Sequence, residues 1–253
     1  MRRNIQWNCQ KVTPLSIIKD NLRIIYIMYN WGNMRNTLGK NTRRLLLSYI
    51  GLLTLAAFFY GGGNYIEKQT LYYNFFTNFI SDLGRTTSHS GADNTISIVL
   101  FSIGMLTQII ASFYYLFNAA DYFSNDKPKI SIVAKISAAC GSISLLGVVF
   151  TPADVPSLYS LHIFFANSVF NCALLTLGIY AYLFYSKGLK NVTYALFTCS
   201  LIVAGYIVFL EIGPAPWKSI ESLTMHATYQ KVAVLSLVGT IWVMSKGTDL
   251  LET

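Results

Sequence analysis

The chain reads as an all-α polytopic membrane protein, a six-transmembrane-helix bundle with both termini cytoplasmic. Three observations predict this. Of its 253 residues 53% are hydrophobic and only 12% charged, with a mean hydropathy of +0.45. A soluble domain carries roughly 25% charged residues, because its surface faces water. Six continuous apolar stretches approach or exceed the roughly 20 residues that a helix needs to cross a hydrocarbon core of about 30 Å. The basic residues then fall mainly on one side of those stretches, as the positive-inside rule requires. A β-barrel does not fit, since barrel strands alternate apolar and polar over about ten residues and these runs are unbroken.

Residues 1–44 form a polar, Asn-rich, basic tail. Within it, residues 15–31 suit an interfacial helix lying on a membrane surface. The alternative is that the tail is an upstream extension and Met34 is the true start. No small-residue cleavage site follows the first apolar run, so a signal peptide is not expected. The membrane domain, 45–245, starts with a span over 45–63, behind the Arg43-Arg44 pair. The second span, 95–118, has no charge, and the third, 130–150, holds only Lys135, expected to snorkel to the cytoplasmic surface. The fourth, 158–185, carries His162. The fifth, 192–212, ends at Glu211, and the sixth, 222–244, contains His226 and Lys231. A short cytoplasmic tail, 246–253, follows. Connections are brief except 64–94, and a loop of that length is usually functional or disordered.

Nine basic residues precede the first span, and Lys127, Lys129, Lys187, Lys190 and Lys246 bring the cytoplasmic side to fourteen. The outer side has only Lys68, Arg85 and Lys218. The net charge of +8 therefore reports topology and needs no nucleic acid to explain it. Membrane lipids are the expected partner. Cys9, Cys140, Cys172 and Cys199 show no metal or redox spacing and read as small apolar residues.

Ionisable groups at membrane depth are costly and mark candidate sites. His162 and His226 each lie four residues into a span entered from outside, so both imidazoles sit about 6 Å below that end. Asp154 precedes His162, and Asp82 lies in the long outer loop. Asp82, Asp154, His162 and His226 are thus candidate catalytic residues, either as an acid–base centre or around a metal. His162, His226 and Asp154 are the candidate ligands, with zinc the fitting ion. Arg85 and Lys231 are candidates for holding a substrate anion; the plainer role for Lys231 is a clamp to Glu211 or Asp154. Gln108, Asn167 and Asn171 read as interhelical glue.

The run Ile80-Ser81-Asp82-Leu83-Gly84, then Asn94, Phe150-Thr151-Pro152-Ala153-Asp154 and His162, resembles the six-span "domain of unknown function 998" family. A weaker similarity links the Ile-Ser-Asp stretch to the Frag1/DRAM/Sfk1 group. Thr151 departs from the adjacent Phe-Pro expected of the pattern. The first resemblance implies the six-span fold without an activity, and the second implies a lipid-related role. Two functions follow as expectations: a lipid-binding, sensing or small-solute module, or an intramembrane hydrolase or acyl transferase using the His/Asp centre.

Overall fold

The computed structural model describes residues 37–251, and the readings made above for 15–31 and Met34 lie outside them. The described residues are all-helical, with six long helices: α1 (Leu38–Phe58), α2 (Thr95–Ala119), α3 (Pro128–Phe150), α4 (Tyr159–Ser186), α5 (Lys190–Ile212) and α6 (Ile220–Asp249). Each packs against its neighbours in sequence, and α6 returns to α1, so the helices close into a ring. Five of them, α2 to α6, are long and apolar enough to cross a membrane.

The first helix differs from expectation at both ends. It begins seven residues before the apolar run, because Lys40, Arg43 and Arg44 are helical too. Arg43 reaches across to Asp249 (2.9 Å) and Ser245 (3.0 Å) on α6. The backbones come close there: a Cβ on Gly39 would stand 2.3 Å from the Asp249 carboxylate and 2.5 Å from Ser245 O. At the other end the helix stops at Phe58, and Gly62 and Gly63 take φ of +96° and +77°, values that L residues rarely adopt. Only 14 residues, Leu45 to Phe58, then remain apolar and helical. By length and composition α1 is therefore not counted with the other five.

Start and stop signals explain the remaining bounds. Pro128 opens α3, where its missing N–H costs nothing. A Schellman turn closes α4: Leu189 N donates to Phe184 O (3.1 Å) and Gly188 N to Tyr185 O (2.9 Å), with Gly188 at φ +73°. Ser219 caps α6 by accepting from Ser222 N (3.2 Å).

The outward stripe of α2 shows what surrounds the ring. Ile96, Val99, Ile103, Leu106, Ile110, Phe113 and Phe117 recur at steps of three and four, and all are exposed. Ser97, Phe101, Met105, Gln108, Ser112 and Tyr115 face inward and are buried. The exposed stripe of a soluble helix would be charged, so this pattern is compatible with an integral membrane protein. At the end holding the start of α1, Lys135 bonds Asp121 (2.6 Å) and lies over the Phe117 ring (4.8 Å), and Lys187 bonds Asp126.

Candidate functional site: a buried polar cap and a central cavity

The segment after α1 folds into an ordered cap. Past the Gly61–Gly63 turn, Asn64 Oδ1 accepts from Ile66 N (2.9 Å) and Glu67 N (2.7 Å), holding a turn with its side chain. Asn78 does the same for Asn74 N (2.9 Å) and donates to Gly63 O (2.7 Å), tying the two turns together. A 3-10 turn, Ile80–Gly84, follows. Its Asp82 is buried and accepts from Phe79 N (2.9 Å) and Asn78 Nδ2 (3.2 Å) with one oxygen. The other oxygen meets His89 Nε2 at 3.0 Å.

His89 is the partner that sequence reasoning missed. Its Nδ1 lies 3.2 Å from Lys68 Nζ and its ring packs on Tyr65. An ammonium can only donate, so with Lys68 charged the imidazole proton sits on Nε2 and points at Asp82. Burial holds the Lys68 amine below its ordinary value, as does the neighbouring Arg85, while Asp82 acts the other way. Both ring nitrogens of His89 are occupied within the protein, so neither is available to take a substrate proton.

Lys231 is a clamp, but its partners are not those expected. It donates to Asn78 O and to Ala227 O (3.2 Å) and lies over the Tyr73 and Phe75 rings at 5.6 and 5.1 Å. Asp82, rather than Glu211 or Asp154, is the carboxylate that reaches it electrostatically. Neighbouring Gln230 fastens the same loop, its Oε1 accepting from Ile80 N (2.9 Å).

The four residues expected to converge go to separate places. Asp154 accepts from Thr86 N (3.0 Å), Thr86 Oγ1 (2.5 Å) and Thr87 N (2.9 Å), latching the 151–158 connection onto the cap. Burial works against its charge, but these bonds outweigh it and hold the carboxyl below its ordinary value. His162 Nδ1 donates to Thr151 O (2.6 Å), and His226 Nε2 donates to Pro214 O (2.6 Å), each returning to the connection just before its own helix. A carbonyl oxygen only accepts, which fixes where each ring proton lies. Among the described residues no group of three His, Cys, Asp or Glu side chains is placed to hold a metal ion. The expected zinc set of His162, His226 and Asp154 is thus not assembled, because equal depth on two helices says nothing about the direction each side chain takes around its helix. Arg85 donates to Thr87 O (3.2 Å) within its own loop.

Behind the cap lies a cavity of about 180 Å³, lined from all six helices and from Ile80 and Ser81. Its walls are mostly apolar. On α4 the lining runs from His162 to Tyr180, about 27 Å at 1.5 Å per residue, and on α6 from Gln230 to Met244, about 21 Å. Neither Arg85 nor Lys231 lines it, nor does any other Asp, Glu, Lys or Arg among the described residues. Gln108 is 7% exposed and lines the cavity; its amide nitrogen bonds Ser112 (2.9 Å) on its own helix, so it does not join helices. Its Oε1 has no partner. Turning the amide over would only exchange which of its two polar atoms meets Ser112.

No protein-family model, no curated protein and no solved structure matches the chain.

Proposed function

We propose that the chain is a six-span integral membrane protein, with both termini cytoplasmic, that holds a single lipid chain in its central cavity. The observation that carries this is a slender, mainly apolar cavity with one buried amide atom left unpaired. An apolar cavity of about 150 Å³ is enough to bind benzene, and this one is somewhat larger and far more elongated. Its lined length exceeds half of a hydrocarbon core about 30 Å thick, so it suits one chain of one leaflet. The enzyme alternative has less support, since Asp82, Asp154, His162 and His226 each serve a separate part of the scaffold.

Fourteen basic residues against three support the orientation. The exposed Leu71, Tyr72, Phe75 and Phe76 beside the end of α1 suit the outer interface and would complete the short first span. On this reading the likeness to the six-span family implies a shared fold, and the weaker one a lipid-related role. A cysteine replacing Ser157 should react with an impermeant maleimide on intact cells; reaction only after lysis would overturn the orientation.

The cavity is tested by extracting and weighing the lipids that co-purify with the protein. Ala138→Phe or Ala173→Phe places a ring inside the cavity, and each should remove a stoichiometric lipid that the unaltered protein retains. Equal lipid content in all three proteins would overturn the proposal.

A further inference from the structure

The cavity must choose its ligand by polar contacts. A lipid leaving the bilayer gains no hydrophobic free energy on entering an apolar cavity, because its chain was already in hydrocarbon. Discrimination has to come from the few polar atoms in the wall, and two of these are pre-set by bonds on their far side. His162 is 5% exposed and spends Nδ1–H on Thr151 O, so the neutral ring keeps the Nε2 lone pair, which bonds none of the described residues. Gln230 spends its Oε1 on Ile80 N, so the amide presents its Nε2 donor. Both line the cavity, together with the Ser81 hydroxyl. The 3-10 turn joins them: Ile80 is bonded to Gln230, and the Asp82 charge reaches His162.

We infer that this end of the cavity is a headgroup site for an uncharged, hydroxyl-bearing single-chain lipid, such as a long-chain alcohol. One hydroxyl is both donor and acceptor. It can donate to His162 Nε2 and accept from Gln230 Nε2 or Ser81, while its chain extends down the apolar bore toward Gln108. A carboxylate or phosphate finds no positively charged side chain in this lining, and burying an uncompensated charge is strongly unfavourable. The assignment rests on the lipid-chain reading of the cavity and adds the chemistry of the head.

The test uses the full chain in detergent, labelled by a diazirine-bearing long-chain alcohol in competition with hexadecanol, its methyl ether and hexadecanoic acid. Hexadecanol should compete about tenfold better than the ether, which can accept a hydrogen bond but cannot donate one to Nε2. His162→Asn, whose amide nitrogen can stand in for Nδ1 toward Thr151 O, should bring the alcohol down to the level of the ether. That ratio is read within each protein, so a partly unfolded fraction lowers both and leaves it intact. Equal competition by alcohol and ether in the unaltered protein, or stronger competition by the acid, overturns the headgroup site and leaves the cavity standing. Labelling that is not saturable, and that Ala138→Phe does not change, overturns the cavity reading itself.

Discussion

The cap and the cavity lie end to end, yet they treat buried polar atoms in opposite ways. In the cap, Asp82 has three donors, both ring nitrogens of His89 are engaged, and Lys231 is spent on two backbone carbonyls. In the cavity, His162 presents one bare nitrogen and Gln108 one bare amide atom. A saturated network rigidifies and fixes a conformation. An unsaturated one, left in an apolar wall, costs free energy until something binds. The residues that look most like catalytic chemistry are therefore scaffold, and the uncharged residues behind them are the better candidates for recognition.

The largest expected effect breaks the cap. Asp82→Ala leaves His89 Nε2–H, Phe79 N–H and Asn78 Nδ2–H without their acceptor. Each buried group left unsatisfied costs about 1–3 kcal/mol, so with three donors orphaned the melting transition in detergent should fall steeply or the protein should fail to purify as a single species. A variant that melts within about 1 kcal/mol of the parent would mean the network is not what holds the loop.

The same kind of change in the cavity should have the opposite sign. Gln108→Leu with Ser112→Ala removes an unpaired polar atom and both partners of one bond. Replacing both partners of a buried bond with apolar groups of similar shape is nearly neutral to stabilising, here by about 1 kcal/mol. Lipid-free protein should melt slightly higher. A drop of comparable size would show that Gln108 is paired in solution, and the contrast with the cap would lose its basis.

How far these regions were legible in sequence follows from what each is made of. The ends of α2 to α5 fall within two residues of their apolar runs, because hydropathy and helix length are set by the same membrane thickness. For α1 hydropathy misleads: Gly61 to Gly63 are as apolar as any helical glycine, and only their backbone angles reveal the turn. At the other extreme α6 runs on to Asp249, since Asp249 and Ser245 are held by Arg43 of α1, a contact no local pattern announces. Depth placed His162 and His226 correctly at one end but could not give their azimuth. Asp82 was legible as important and its partner was not, because His89 sits in irregular chain where no period applies. The cavity is a property of six inward faces at once, so Gln108 stands out in its helix only as a polar residue of unknown partner, and Gln230 not at all.

The smallest effect tests the latch between the cap and the 151–158 connection. The Asp154 carboxyl is held below its ordinary value of 3.8 by the Thr86 and Thr87 donors acting against burial. A carboxylate depressed in the folded state contributes stability that is fully present above its unfolded value and is lost as pH falls through the folded one. The melting temperature of the unaltered protein should therefore decline below about pH 4, and Asp154→Asn should flatten that part of the profile. The residue is only partly buried, so the difference at neutral pH should be small, about 1 kcal/mol or less. The Asn oxygen can keep the bonds from Thr86 Oγ1 and Thr87 N, but its Nδ2 then faces Thr86 N, so a larger loss would report that lost bond together with the charge. Such a loss would extend the bonded network of the cap to the connection that leads into α4, so the mildest of these variants measures how far the saturated region reaches.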